Sequence, residues 1–215
     1  NNFSKIRSSY GTGIRYPSLY EYFYGTVVES KEDLKPEASK SFDIGYETKF
    51  NKINTDFIIS AFKIEYEDPL ESWESNGWTV KNSNGKITSK GIELSSIWRP
   101  KNTLNITLNY NYSDTYDGAD CDDPDKGTNC IDESMVRVPR HSFISLINHN
   151  FTKNFSNKLS IKYSGEVRDY GNGNNNFRDV ILNDFIKFDY AANYKLHDTY
   201  NLYFNLNNIF DENYE

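Results

Sequence analysis

A chain of 215 residues is long enough for one sizeable β domain or for part of a larger one. It carries 17 Tyr, 14 Phe and 3 Trp but a single Met, and a formal charge of -7 that argues against a nucleic-acid partner. No run of about 18 apolar residues exists, so helical membrane spans are excluded, whereas a mean hydropathy of -0.76 still suits a barrel whose lumen and loops stay polar.

In chain order, Asn2-Phe3-Ser4-Lys5-Ile6-Arg7 already reads as strand with no basic-then-apolar leader before it, so the reading starts inside a domain. Phe42, Ile44, Tyr46 and Phe50 then alternate with Asp43, Glu47 and Lys49. Ile92, Leu94 and Trp98 alternate with Glu93 and Ser95. The clearest case is Leu104, Ile106, Leu108, Tyr110 and Tyr112, set between Asn105, Thr107, Asn109 and Asn111. A strand points successive side chains to opposite faces, so this segment has one apolar face and one amide-rich face. From Phe143 to Ile147 both faces are apolar, and alternation assigns no side there. The period returns at Leu159, Ile161 and Tyr163, and again at Leu202, Phe204 and Leu206.

About nine such strands are expected, most near the roughly 9–11 residues that a tilted membrane strand needs. Strands of a soluble sandwich usually run to about 5–6 residues. Short turns fall at 51–54, 99–102, 152–157 and 196–199, and long polar loops near 15–40, 67–88, 115–139 and 168–183. Short turns on one rim and long loops on the other are the asymmetry of an outer-membrane barrel, with the short side periplasmic. Trp98 beside a short turn and Tyr66 near a long loop are then expected in the two interfacial aromatic girdles.

Five segments resemble the second half of a TonB-dependent outer-membrane receptor, most closely its cobalamin and catecholate-siderophore branch. They are Ser9 to Glu21, with its Tyr16-Pro17-Ser18-Leu19-Tyr20-Glu21 run; Leu34-Lys35-Pro36-Glu37; Lys90-Gly91-Ile92-Glu93; Arg137-Val138-Pro139-Arg140-His141; and Asn207-Asn208-Ile209-Phe210-Asp211-Glu212-Asn213-Tyr214. The resemblance implies an all-β fold, part of an antiparallel transmembrane barrel of about twenty-two strands with a plugged lumen. Residues 1–215 would be its C-terminal portion, with the plug, the first barrel half and the last strand outside this stretch. The implied function is active import of a scarce nutrient, cobalamin or a ferric siderophore, with no enzymatic step. The implied partners are the TonB complex, reached through the plug, the nutrient itself, and outer-membrane lipid of a Gram-negative bacterium. A sheet of this kind with two open edges would not insert in lipid without the missing parts.

Within that frame the aromatics Tyr16, Tyr20, Tyr22, Phe23 and Tyr24, with Trp73 and Trp78 in the next loop, are the candidates for contact with a corrin or catechol. The competing reading is that they pack their own loops. Arg15, Lys31, Lys35 and Lys81 read as scattered among Glu21, Glu29, Glu32 and Asp33, which favours a neutral ligand over a trianionic one. Cys121 and Cys130 are the two cysteines of the chain. In a loop exported through an oxidising periplasm they are expected to pair, stabilising by roughly 2–3 kcal/mol on the chain-entropy estimate. Between them and just before, Asp120, Asp122 and Asp125 offer oxygen ligands for Ca²⁺, against the alternative of solvated charge; no EF-hand spacing is present. No resident cofactor is otherwise expected. His141, His149 and His197 fall into no catalytic constellation. Two other functional classes fit the period: a passive porin, which lacks a plug, and a soluble β-sandwich binding module, which would fold without detergent.

Overall fold

The computed structural model describes residues 3–23, 34–74, 78–82, 85–118, 135–173 and 176–214. Nine strands form one antiparallel sheet in which all but two pairs of neighbours are also consecutive in the chain. They are β1 (Ser4–Arg15), β2 (Glu37–Phe50), β3 (Thr55–Glu67), β6 (Lys86–Lys101), β7 (Leu104–Asp117), β8 (His141–Asn150), β9 (Phe155–Ser164), β12 (Phe185–His197) and β13 (Tyr200–Leu206). The two exceptions arise because small hairpins stand between sheet neighbours: β4 (Leu70–Glu74) with β5 (Trp78–Asn82), and β10 (Val167–Gly173) with β11 (Asn176–Leu182). Two of the segments expected as long loops are therefore built on ribbons. The strand lengths, up to 16 residues in β6, match membrane strands with projecting ends.

The register assigns every strand residue to a face. Ile6 opposes Tyr46, Tyr46 opposes Ile59, Ile59 opposes Leu94, and Leu94 opposes Tyr110. Tyr110 opposes Phe143, Phe143 opposes Tyr163, and Tyr163 opposes Ile186. One face is thus a continuous apolar band whose members are half-buried to exposed, none of them covered by a second layer among the described residues: Ile44 is 46 % and Ile186 45 % exposed. An apolar band of this size on a soluble monomer would drive association; facing hydrocarbon it costs nothing. The opposite face carries Arg7, Glu47, Ser60, Glu93, Ser95, Asn109, Asn111 and Ser142 in neighbouring rows.

The register also settles the stretch from Phe143 to Ile147. Ser145 pairs with Leu108 and Ile161, which puts Phe143, Ser145 and Ile147 on the apolar face and Ile144 and Leu146 on the polar one. One expectation is corrected. Trp98 lies on the apolar face beside a short turn, but Tyr66 pairs with Ser39 and Ile87 on the polar face, so it is no girdle residue. At the short-turn rim the girdle is a run of rings: His149 to Phe151 at 3.9 Å, Phe151 to Phe155 at 5.6 Å and Phe155 to Tyr194 at 6.3 Å between centroids.

The short turns have local causes. A 3₁₀ turn at Asn51–Ile53 ends in Asn54 at φ 49°, a left-handed conformation that Asn tolerates. The Asn54 side chain donates to the Arg99 carbonyl at 3.0 Å, and Arg99 reaches Asp56 at 2.6 Å, closing the rim between neighbouring hairpins. Between Trp98 and Lys101 the β6–β7 register shifts, at Pro100, which has no N–H for the ladder.

Candidate functional site

The long-loop rim is where the sequence motifs converge. β1 ends at Arg15, and Tyr16-Pro17-Ser18 leads into the single helical turn α1 (Leu19–Phe23). Ser18 and Glu21 form a reciprocal capping box: the Ser18 amide donates to Glu21 Oε2 at 2.6 Å, and the Glu21 amide donates to Ser18 Oγ at 3.3 Å. Burial alone would raise the Glu21 carboxyl, but the Ser18 amide and hydroxyl and the Arg15 guanidinium outweigh it and hold the group below its ordinary range.

Arg15 is not one of several scattered cations. Its Nη1 donates to Glu21 at 2.9 Å while its Nε donates to Glu37, so one guanidinium spans the two ends of the first long loop. Glu37 also accepts the Leu70 amide at 2.7 Å, which joins that loop to the β4–β5 hairpin. Asn82 makes the same connection from the other strand: it accepts the Lys35 amide at 2.7 Å and donates to the carbonyls of Lys35 at 2.9 Å and Asp68 at 2.7 Å. The Leu34-Lys35-Pro36-Glu37 segment is therefore a tie between two loops as well as a strand entry.

A second tie stands further round the rim. Arg137, at φ 63°, donates its amide to the Arg168 carbonyl at 2.8 Å and its Nε to Asp169 at 2.8 Å, anchoring Arg137-Val138-Pro139-Arg140-His141 to the β10–β11 hairpin. Between them lies an open pocket of about 590 Å³ lined in part by Val138, Arg140, Tyr163, Glu166 and Ile181. On the polar face a further pocket of about 380 Å³ is lined in part by Arg7, Ser60, Glu93, Asn109, Asn111 and Ser142.

Of the predicted ligand contacts, Tyr16 and Tyr20 stand out from the rim at 72 % and 64 % exposure, and Tyr22 is half-buried in the same turn. The structure gathers these three. Trp73 and Trp78 are placed by register at the far end of β4–β5, opposite Thr79 and Glu74, with their side chains outside the described residues. Tyr24, Cys121, Cys130, Asp120, Asp122 and Asp125 also lie outside the described residues. Among the described residues no group of three or more His, Cys, Asp or Glu is arranged to hold a metal ion.

The family model described as TonB dependent receptor-like, beta-barrel matches residues 1–209. The chain belongs to that family. Its place is accordingly the outer membrane of a Gram-negative bacterium, with the apolar face toward lipid and the polar face toward the lumen. The vitamin B12 transporter of Vibrio vulnificus is 24 % identical over 220 residues, which cover 100 % of this chain and 32 % of the relative. Among solved structures, the ferric-catecholate import receptor Fiu of E. coli K12 superposes with a TM-score of 0.74 at 17 % identity, over 98 % of this chain and 29 % of that one. The FrpB iron transporter of Neisseria meningitidis gives 0.74 at 20 % identity, over 98 % and 33 %. The chain thus spans about a third of the length of these relatives.

The side chains that tie the rim, Arg15, Glu37, Asn82 and Arg137, hold a role that sequence reading missed. The signal was present, since three of the four stand in a family motif, but each has a partner 22 to 47 residues away.

Proposed function

We propose that this chain is part of a TonB-energised receptor that binds a scarce nutrient at its extracellular rim and imports it, cobalamin or a ferric siderophore being the substrate class, without any enzymatic step. The observation that carries the reading is the family match over residues 1–209, on a sheet with one lipid-compatible face and one polar face. On this reading residues 1–215 are the C-terminal portion of the receptor barrel, and the plug that contacts TonB is supplied from outside them. Tyr16, Tyr20 and Tyr22, with Tyr24, Trp73 and Trp78, offer flat apolar surface on which a corrin or catechol stacks at small entropic cost. The ties through Arg15, Glu37 and Asn82 hold the first two loops in register with each other, so less ordering is left for the ligand to bring about. Cys121 and Cys130 close the acidic loop as a disulfide. A calcium titration decides between bound Ca²⁺ and solvated charge at Asp120, Asp122 and Asp125.

The test is uptake of radiolabelled cyanocobalamin and of a ferric catecholate by cells expressing the intact receptor, with and without TonB. Saturable uptake of either that vanishes without TonB supports active import. Uptake that is linear in concentration and indifferent to TonB would instead make the barrel a passive channel.

A further inference from the structure

Charged side chains are expected on the polar face and are costly on the lipid-facing one. On four neighbouring strands the lipid-facing side nevertheless changes from apolar to charged near the extracellular rim. Lys40 follows the same face as Phe42 and Ile44, Lys63 that of Ala61, Lys90 that of Ile92, and Asp114 that of Tyr112. Nearer still to the rim come Glu65, Glu67 and Lys86. The Arg140 guanidinium reaches into this patch from the start of β8, at 3.4 Å from Asp114.

Five cations here share three carboxylates. Glu67 holds both Lys40, at 3.0 Å, and Lys86, at 2.9 Å; Asp114 holds both Lys90, at 3.5 Å, and Arg140, at 3.4 Å; Lys63 pairs with Glu65 at 2.8 Å. Each doubly shared carboxylate can neutralise one of its two cations, which among the described residues leaves two positive charges in excess on a chain whose overall charge is -7. The cation side chains remain between 48 % and 62 % exposed, and each ammonium carries three donor protons, more than its described carboxylate partner takes up. The periplasmic rim of the same face is different: its members are Phe50, Thr55, Trp98, Phe155 and Tyr194, without a charge among these described positions.

We propose that this patch, Lys40, Lys63, Lys86, Lys90 and Arg140, is a docking site for the phosphorylated headgroup of a lipid in the extracellular leaflet. Its position supplies the argument. A phosphate at the headgroup level would meet the exposed ammonium groups, while its acyl chains would lie along Phe42, Ile44, Ile92 and Leu94 directly below. A free phosphate would gain the first contact and not the second.

The test uses the intact receptor in dodecyl maltoside micelles, read by native mass spectrometry during titration with bisphosphorylated lipid A, with its dephosphorylated form, and with inorganic phosphate. Lipid A is expected to bind in preference to its dephosphorylated form. The combined variant Lys40→Gln, Lys63→Gln, Lys86→Gln and Lys90→Gln is expected to weaken lipid A binding by about tenfold or more, with roughly fivefold available per lysine. Glu67→Gln with Asp114→Asn serves as the opposite perturbation, which a folding defect of the lysine variant would not affect: it frees cations and is expected to tighten lipid A binding. Equal binding of the two lipid forms overturns the proposal. So does tightening that is absent in the carboxylate variant, or full displacement of lipid A by an equal concentration of inorganic phosphate, which would mark a plain anion site.

Discussion

Gly91, in the Lys90-Gly91-Ile92-Glu93 segment, offers a test of how the polar face is packed. A Cβ built on it would overlap the Tyr112 carbonyl oxygen and come within 2.8 and 2.9 Å of two ring carbons of Phe62, whose ring covers the glycine from the neighbouring strand. The backbone oxygen cannot rotate away, so Gly91→Ala requires β6 and β7 to separate locally. Overpacking of this kind costs about 1–3 kcal/mol, against about 0.5–1 kcal/mol regained from the lower chain entropy of Ala, leaving a net loss of roughly 0.5–2 kcal/mol. Gly45 is the internal control. Its Cβ would meet Arg7 Nε at 3.3 Å and Arg7 Cγ at 3.5 Å, atoms of a flexible side chain, so Gly45→Ala is expected to be neutral or stabilising by a few tenths to about 0.5 kcal/mol. Guanidinium unfolding of the intact receptor in micelles, followed by loss of heat-modifiable mobility on electrophoresis, compares both variants with wild type. A Gly91→Ala midpoint at or above that of Gly45→Ala would refute the packing argument.

Four further outcomes are expected. Leu94→Arg, on the lipid face, should cost about 2–4 kcal/mol if it lies near the bilayer midplane, whereas Ser95→Arg, on the lumen face, should be tolerated; equal loss in the same unfolding assay would reverse the assignment of faces. Asn208 sits at φ 52°, accepts the Glu212 amide at 3.0 Å and donates to the Glu212 carbonyl at 2.9 Å, so Asn208→Ala should lose about 1–2 kcal/mol and Asn208→Gly less, measured by the same midpoint. Glu37→Ala should raise the rate at which a protease cuts the first two long loops, leaving the unfolding midpoint nearly unchanged; a rate equal to wild type would deny the tie role. Because the Glu21 carboxyl is held below its ordinary value near 4.5, its contribution is complete above that pH and is lost as pH falls through the lowered folded value. Amide exchange at Ser18 and Glu21, normalised to intrinsic rates, should therefore accelerate below about pH 4.5, and Glu21→Gln should abolish the dependence.

Much of this protein was legible from residue types in order. The alternation of Leu104 to Tyr112 against Asn105 to Asn111 reports a two-faced strand wherever it pairs, and Asn54 and Pro100 mark turns by their own conformational preferences. The family resemblance put the motifs in the family's order along the chain and implied the barrel that the match over residues 1–209 supports. The tertiary structure decided what depends on neighbours. In β3, Phe57, Ile58, Ile59, Phe62 and Ile64 are apolar on both faces, so period alone could not phase the strand, and Tyr66 was expected on the wrong side. Only its pairing with Ser39 and Ile87 puts Tyr66 on the lumen face. Likewise Arg15 and Glu37 read as unrelated charges until a long loop returns its two ends to one point. The period of a strand is a local property of covalent geometry, whereas register is set by the sum of ladder bonds and face burial across strands distant in sequence.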